Sequence, residues 1–240
     1  MIKKKKIVVT GGTGRFGEVL KKTKLNYSLF FPSKNELDIT KFNSIKKYLK
    51  KIKPFCLIHL AGLSRPMQIH EKKISKSIDL NIIGTANIVL ACKVSSVKLI
   101  YFSTSYVYPG KKGNYKETDP VFPSNNYAWS KLGGESAVQM YKNSLIVRAS
   151  MTEKPFVHKR AFTNMYTNFI YHEDFVKIFK KLINKKGIIN VGGPTRSVYD
   201  FAKKDNPTIK KALIRNKKRS LLPINSSMNL SRLKNILKKI

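Results

Sequence analysis

Tyr127 and Lys131 stand four residues apart in the run Asn126-Tyr127-Ala128-Trp129-Ser130-Lys131. On a helix that spacing puts both side chains on one face, a turn apart. A cation beside a phenol favours the phenolate, so Tyr127 is a candidate acid/base for redox chemistry at a carbinol or carbonyl carbon. Tyr-x-x-x-Lys arises by chance in any Lys-rich helix. It gains weight here because Gly11-x-x-Gly14-x-x-Gly17 follows the β-branched run Ile7-Val8-Val9-Thr10 and opens a helix. In that context Gly11 permits the tight turn, Gly14 lets the backbone approach a pyrophosphate, and Gly17 lets helix pack on strand. The helix N-terminus supplies amide donors and a dipole for the phosphates. A third group lies in Phe102-Ser103-Thr104-Ser105-Tyr106-Val107-Tyr108, at the C-terminal end of an apolar run. Ligands of open α/β sheets sit at such ends, where the Thr104 hydroxyl could hold a substrate oxygen against the Tyr127 phenol.

The cofactor implied is a nicotinamide dinucleotide. In the common NAD pattern an acid closes the second strand and holds the ribose 2′-hydroxyl. Here that region reads Phe31-Pro32-Ser33-Lys34, without an acid. Ser33 and Lys34, with Arg15, suit a 2′-phosphate, so the reading leans to NADP over NAD. Asp38 comes later and fits the adenine edge better than the ribose.

These residues need elements to hold them, and hydrophobic periodicity supplies them. Residues 7–10 read as a first strand, 14–22 as a helix, and 27–31 as a second strand closed by Pro32. Phe42, Ile45, Tyr48, Leu49 and Ile52 recur at helical spacing around 41–51. Residues 56–60 form a continuous apolar strand, Ile74–Val94 a long helix, and 97–102 the next strand. A Gly-, Asn- and Pro-rich loop over 109–126 leads into the Tyr127 helix, which extends to about residue 141. Residues 145–147 are another buried strand. Strands alternating with helices imply right-handed crossovers and a parallel sheet. The class is α/β, a doubly wound Rossmann sheet with its dinucleotide-binding domain over 1–150. Residues 151–240 are expected to form a reduced substrate-binding region that partly returns to the main sheet. It carries a helix near 174–182, a strand at 188–191, and short helices near Val198–Lys203 and 230–237.

Bulk composition narrows the class further. The chain has 240 residues, 42% of them hydrophobic, ordinary for a globular protein. No apolar run approaching the length of a bilayer span is expected. The basic start Met1 to Lys6 precedes an apolar stretch too short for a signal peptide, and that stretch runs straight into Gly11-Gly12. Cys56 and Cys92 sit in apolar segments and read as buried, reduced thiols, which fits a cytoplasmic protein. The histidines show no metal-ligand spacing with the cysteines, so no metal is expected. The formal charge is +35. Only 8 of the 48 basic residues are Arg, and the Lys residues are spread along the chain. Abundant Lys, Asn and Ile point to an AT-rich genome, and nucleic acid is not the expected partner. The positive field would attract an anionic dinucleotide or nucleotide-sugar.

Together these residues resemble the short-chain dehydrogenase/reductase superfamily in its extended, nucleotide-sugar branch, most closely the dTDP-4-dehydrorhamnose reductases. The resemblance rests on Thr10-Gly11-Gly12-Thr13-Gly14-Arg15-Phe16-Gly17, Leu37-Asp38-Ile39-Thr40, His59-Leu60-Ala61-Gly62, Asn81-x-x-Gly84-Thr85, Thr104, Tyr127 and Lys131. The narrower match is carried by Ser103 to Tyr108, Glu117-Thr118-Asp119-Pro120, Arg148-Ala149-Ser150, and the tail from Asn225 to Ser231. It implies that Gly11, Thr13, Gly14, Arg15, Phe16 and Gly17 surround the pyrophosphate. Asp38 and Ile39 would border adenine, and Ala61 and Gly62 the adjoining ribose. Thr104, Tyr127 and Lys131 would be the catalytic triad, with Asn81 supporting Lys131 through its helix. Lys131 would bind the nicotinamide ribose and depress the Tyr127 pKa while Tyr127 protonates the forming alkoxide. The implied substrate is a nucleotide-linked 4-keto-sugar; an NAD-dependent nucleotide-sugar epimerase and a non-catalytic NADP-binding regulatory subunit are the rival readings. A homodimer is compatible with any of them. Two departures stand out. Ser105 occupies a place where the reductases usually carry an acid, and the stretch from Arg148 to His172 is short for their substrate domain. The lack of an acid pair after Thr104 argues against dehydration.

Overall fold

The computed structural model describes residues 4–215 and 221–238. Six parallel strands form the central sheet: β1 (Lys6–Thr10), β2 (Ser28–Phe30), β3 (Cys56–His59), β4 (Lys98–Thr104), β5 (Ser144–Ala149) and β6 (Gly187–Val191), in spatial order β2-β1-β3-β4-β5-β6. Every residue of β3, β4 and β5 is buried, as expected of strands covered on both faces. The chain winds one way from β1 to β2 and the other way from β3 onward. The switch therefore falls between β1 and β3, whose last residues Thr10 and His59 are in register. The crevice beyond those two ends is where a doubly wound sheet binds its ligand.

Alternation along the strands sorts the core into two layers. Ile7 and Val9 face one layer with Ile58, Ile100 and Phe102. That layer is closed by Phe16 and Leu20 of α1 (Arg15–Lys22) and by Phe175 and Phe179 of α2 (His172–Phe179). Val8 faces the other layer with Leu57, Leu99, Tyr101 and Ile146. That layer is covered by α3 (Phe42–Ile52), α4 (Gly84–Val94) and α5 (Asn126–Gln139). Cys56 and Cys92 are buried free thiols within these layers, and burial pushes both pKa values up.

The long helix expected over Ile74–Val94 is present as a continuous helical run with an interruption. Ile74–Ser77 is α-helical, Ile78–Ile83 adopts π-helical geometry, and α4 completes it. Such wide turns recur where a helix serves a site, and Asn81 lies in this one. The run is 21 residues and apolar enough to cross a bilayer by length and composition, which corrects the expectation that no such stretch exists. In this fold Ile88, Val89, Ala91 and Cys92 go into the core. After β5 the chain makes short pairings that the sequence did not announce. Met151–Thr152 joins Ile170–Tyr171, Arg160–Phe162 joins Lys210–Ala212, and Tyr166–Thr167 joins Arg196–Ser197. Pairings of two or three residues are too short to carry a period-2 signal. They enclose a third apolar cluster that includes Phe156, Tyr171 and Phe201.

One buried polar network ties these layers together. Glu135 of α5 is 0% exposed and Arg148 of β5 is 3% exposed at the side chain, with Nη2 2.6 Å from Oε1. Ser103 of β4 donates to the other carboxylate oxygen at 2.5 Å. Arg148 also donates to the Tyr108 hydroxyl and the Glu117 carbonyl. Removing one member of a buried pair leaves the other charge uncompensated, which costs about 3–5 kcal/mol. Glu135→Ala is therefore expected to lose stability on that scale in urea unfolding, and a loss under about 1 kcal/mol would contradict this account.

Candidate active site

The glycine turn after β1 is shaped by steric contact. Gly11 has φ +72°, and a Cβ on it would lie 2.5 Å from the Ala61 amide nitrogen. Only glycine lets this turn pass so close to the exit of β3. A Cβ on Gly17 would meet the carbonyl oxygens of Gly11 and Gly12 at 2.6 and 2.7 Å, so the first turn of α1 packs directly on the loop. No side chain caps α1 at Gly14, and its first amides are those a phosphate would use. Alongside opens a cleft of about 420 Å³, lined by Gly11, Gly12, Thr13, Phe31, Ser33, Lys34, Glu36, Asp38, Ile39 and Ala61, with Lys21 at its edge. Asp38 accepts from the Thr40 hydroxyl and amide, which hold its carboxyl below the usual range. The cradle and its donors fit a dinucleotide.

Two expected cofactor contacts are placed differently by their side chains. The Phe16 ring is buried among Phe102, Phe175 and His172, so only its backbone faces the turn. Arg15 reaches across to Glu153 at 3.1 Å and to the Ser64 hydroxyl at 3.0 Å. Arg65 meets the same Glu153 oxygen at 3.0 Å. Neither Arg65 nor Glu153 was singled out from sequence, because 88 residues separate them and no local spacing announces the contact.

Thr104 and Tyr127 meet at the carboxyl edge of the sheet. Thr104 Oγ1 accepts the Tyr106 amide at 3.2 Å, and the Tyr106 ring packs edge-on to the Tyr127 ring at 6.3 Å, which brings the Thr104 hydroxyl into the surroundings that lower the Tyr127 pKa. Asn125 caps α5 by accepting the Ala128 amide at 2.9 Å, which fixes the turn carrying Tyr127. His70, fully buried, packs its ring edge-on to Tyr127 at 5.2 Å and bonds Ser77 through Nδ1. Lys131, one turn along, sets its Nζ over the Tyr101 ring at 4.2 Å. Asn81 donates to the Ser130 hydroxyl and the Leu63 carbonyl, each at 2.8 Å, and accepts the Leu63 amide at 2.7 Å. It thus joins the loop after β3 to the helix beside Lys131. Gly62 must be glycine next to it, since a Cβ there would lie 2.7 Å from Asn81 Oδ1.

The electrostatics correct one expectation. Burial lifts the Tyr127 phenol above its ordinary value, while Thr104, Arg15 and Arg65 draw it back. Lys131 is itself pushed down to about 7 by burial, with Glu135 opposing. A lysine that sheds its proton near neutrality lends a neighbouring phenol little positive charge. His59 is buried between the hydroxyls of Thr10 and Thr85, and burial takes it down to about 3, so it stays neutral. Among the described residues no cluster of His, Cys, Asp and Glu could hold a metal ion.

A doubly wound sheet with a glycine turn at its switch point and a Tyr–Lys helix beside it defines the extended short-chain dehydrogenase/reductase class. Within that class the chain belongs to the family described as the RmlD substrate binding domain, which matches residues 5–193. It is similar to a dTDP-4-dehydrorhamnose reductase of Aggregatibacter actinomycetemcomitans, 28% identical over 202 residues, which cover 80% of this chain and 63% of that one. It is also similar to the methionine adenosyltransferase 2 subunit beta of Danio rerio, 29% identical over 143 residues, which cover 56% of this chain and 43% of that one. The chain thus spans between about two fifths and two thirds of the length of these curated relatives. The crystal structure of a dTDP-4-dehydrorhamnose reductase from Bacillus anthracis in complex with NADP superposes with a TM-score of 0.86 at 23% identity, covering 97% of this chain and 92% of that one.

The depressed Lys131 has a measurable consequence. Its folded value of about 7 lies below the ordinary 10.5. Between those values the unfolded chain binds the extra proton, so stability rises with pH across that window. Denaturant unfolding of the parent chain and Lys131→Met should therefore diverge, the parent gaining as pH climbs above about 7. Parallel curves would remove the assignment.

Proposed function

We propose that this chain is an NADP(H)-dependent reductase of a nucleotide-linked 4-keto-sugar, of the dTDP-4-dehydrorhamnose reductase kind, working through Thr104, Tyr127 and Lys131. The observation that carries the reading is that Thr104 ends β4 while Tyr106, two residues on, packs against the Tyr127 ring at 6.3 Å, at the carboxyl edge of the sheet that also bears the glycine turn. The named reductase relative, similar over 80% of this chain, supports the substrate class. Gly11, Thr13, Gly14, Gly17 and the backbone of Phe16 would hold the pyrophosphate, with Arg15 above it. Asp38 and Ile39 would border adenine, Ala61 and Gly62 the adjoining ribose, and Ser33 and Lys34 a 2′-phosphate. When bound, the nicotinamide supplies the hydride.

The rest is done by this chain. Tyr127 donates its proton to the alkoxide oxygen that forms at the sugar carbonyl. A phenol held above its ordinary pKa by burial stays protonated at neutral pH, which suits an acid in the reducing direction. Thr104 holds the same oxygen from the other side. Lys131 holds the nicotinamide ribose hydroxyls, and Asn81 keeps its helix turn against the loop carrying Gly62. The segments after residue 150 would form the reduced sugar-side wall. A cytoplasmic setting suits the two buried free thiols. A homodimer is supported by the exposed apolar residues Ile74, Ile78, Leu90 and Val94 along one helical run.

NADPH oxidation in the presence of a dTDP-4-keto-sugar tests the reading. Tyr127→Phe is expected to lower kcat by roughly 10²–10⁴-fold while NADP still binds. Unchanged turnover in that variant would sink the mechanism.

A further inference from the structure

The turn after β2 contains an acid that the strand end itself lacks. Glu36 folds back so that one carboxylate oxygen accepts both the Ser33 amide, at 2.8 Å, and the Ser33 hydroxyl, at 2.9 Å. The Glu36 amide lies 3.4 Å from Ser33 Oγ, completing the reciprocal Ser-x-x-Glu arrangement that caps a turn. Both residues line the cleft, together with Lys21, Lys34 and Asp38. Two lysines therefore face two carboxylates there, in a chain with 48 basic and 13 acidic residues. Asp38 is engaged by Thr40. Glu36 is exposed, and its bonds to Ser33 with the nearby Lys51 keep it ionised.

We propose that Glu36 sets the balance between NADPH and NADH, because its carboxylate occupies the Ser33 donors that a ribose 2′-phosphate needs. The inference rests on the reading of this cleft as a dinucleotide site. A phosphate monoester brings a charge near −2 and oxygens that seek an amide and a hydroxyl together. It cannot share those donors with a carboxylate, so NADPH binds by swinging Glu36 out towards solvent. The 2′-hydroxyl of NADH is a donor as well as an acceptor, so it can approach Glu36 where it stands. A carboxylate holds those donors more strongly than a neutral acceptor and also repels the phosphate, whereas a turn cap alone would need only an acceptor oxygen. Gln at this position separates the two, since it keeps an acceptor and loses the charge.

The test is calorimetric titration of the full chain with NADPH, NADH and adenosine 2′-monophosphate at fixed salt. Glu36→Gln is expected to tighten NADPH and adenosine 2′-monophosphate by about tenfold and to leave NADH unchanged or weaker. Ser33→Ala is expected to weaken the two phosphates more than NADH. An unchanged NADPH-to-NADH ratio in Glu36→Gln, with both dinucleotides still bound, overturns the proposal alone. Failure of the parent chain to bind either dinucleotide overturns the reading of the cleft and the proposal with it.

Discussion

The buried carboxylate of Glu135 is the constraint on which the site depends. It lies one helical turn beyond Lys131 and two beyond Tyr127, on the face of α5 that meets the sheet. Its oxygens are taken by Ser103, the neighbour of Thr104 on β4, and by Arg148 on β5. Those bonds fix the axial position of the helix against the strand, and so decide that the Tyr127 phenol arrives beside Thr104. A purely apolar contact would permit sliding; a buried, fully paired charge does not, because any displacement strands it. Arg148 extends the restraint to Tyr108, whose hydroxyl also meets Asn190 of β6 at 2.8 Å. One ion pair therefore holds three strands, a helix and the loop over the site.

Charge in this molecule is better understood locally than in bulk. A formal +35 suggests uniform attraction for anions, yet the functional edge carries carboxylates at defined places. Glu153 holds Arg15 and Arg65 together beside Tyr127, and Glu36 and Asp38 offset the lysines of the cleft. The acids of a basic chain are few, and those near the cleft are tied to specific donors. Burial does the remaining tuning. It lifts Tyr127, lowers Lys131 and keeps His59 neutral, each by penalising the charged form.

Much of this architecture was legible beforehand for identifiable reasons. Most strands of the central sheet are short runs dominated by apolar residues, several of them flanked by Gly, Pro or Asn, and the amphipathic spacing of Phe42 to Ile52 marks its helix directly. The glycine spacing after β1 has a steric meaning that survives folding, as the Gly11–Ala61 approach demonstrates. The π-helical geometry at Ile78–Ile83 was not legible, since hydrophobic periodicity continues through it while the backbone widens. Nor were the roles of Arg65 and Glu153, which meet only across the cleft. Glu36 is an intermediate case: Ser33-x-x-Glu36 is a visible capping pattern, but its consequence appears only when the turn is seen to line the cleft.

Sequence alone determined the class of fold, the glycine turn, and the helix face that pairs Tyr127 with Lys131, because each follows from local sterics or periodicity within a few residues. Tertiary structure alone decided the protonation tendencies and the charge pattern of the cleft. Those quantities depend on burial and on partners far apart in the chain, and neither is encoded in any short window of residues.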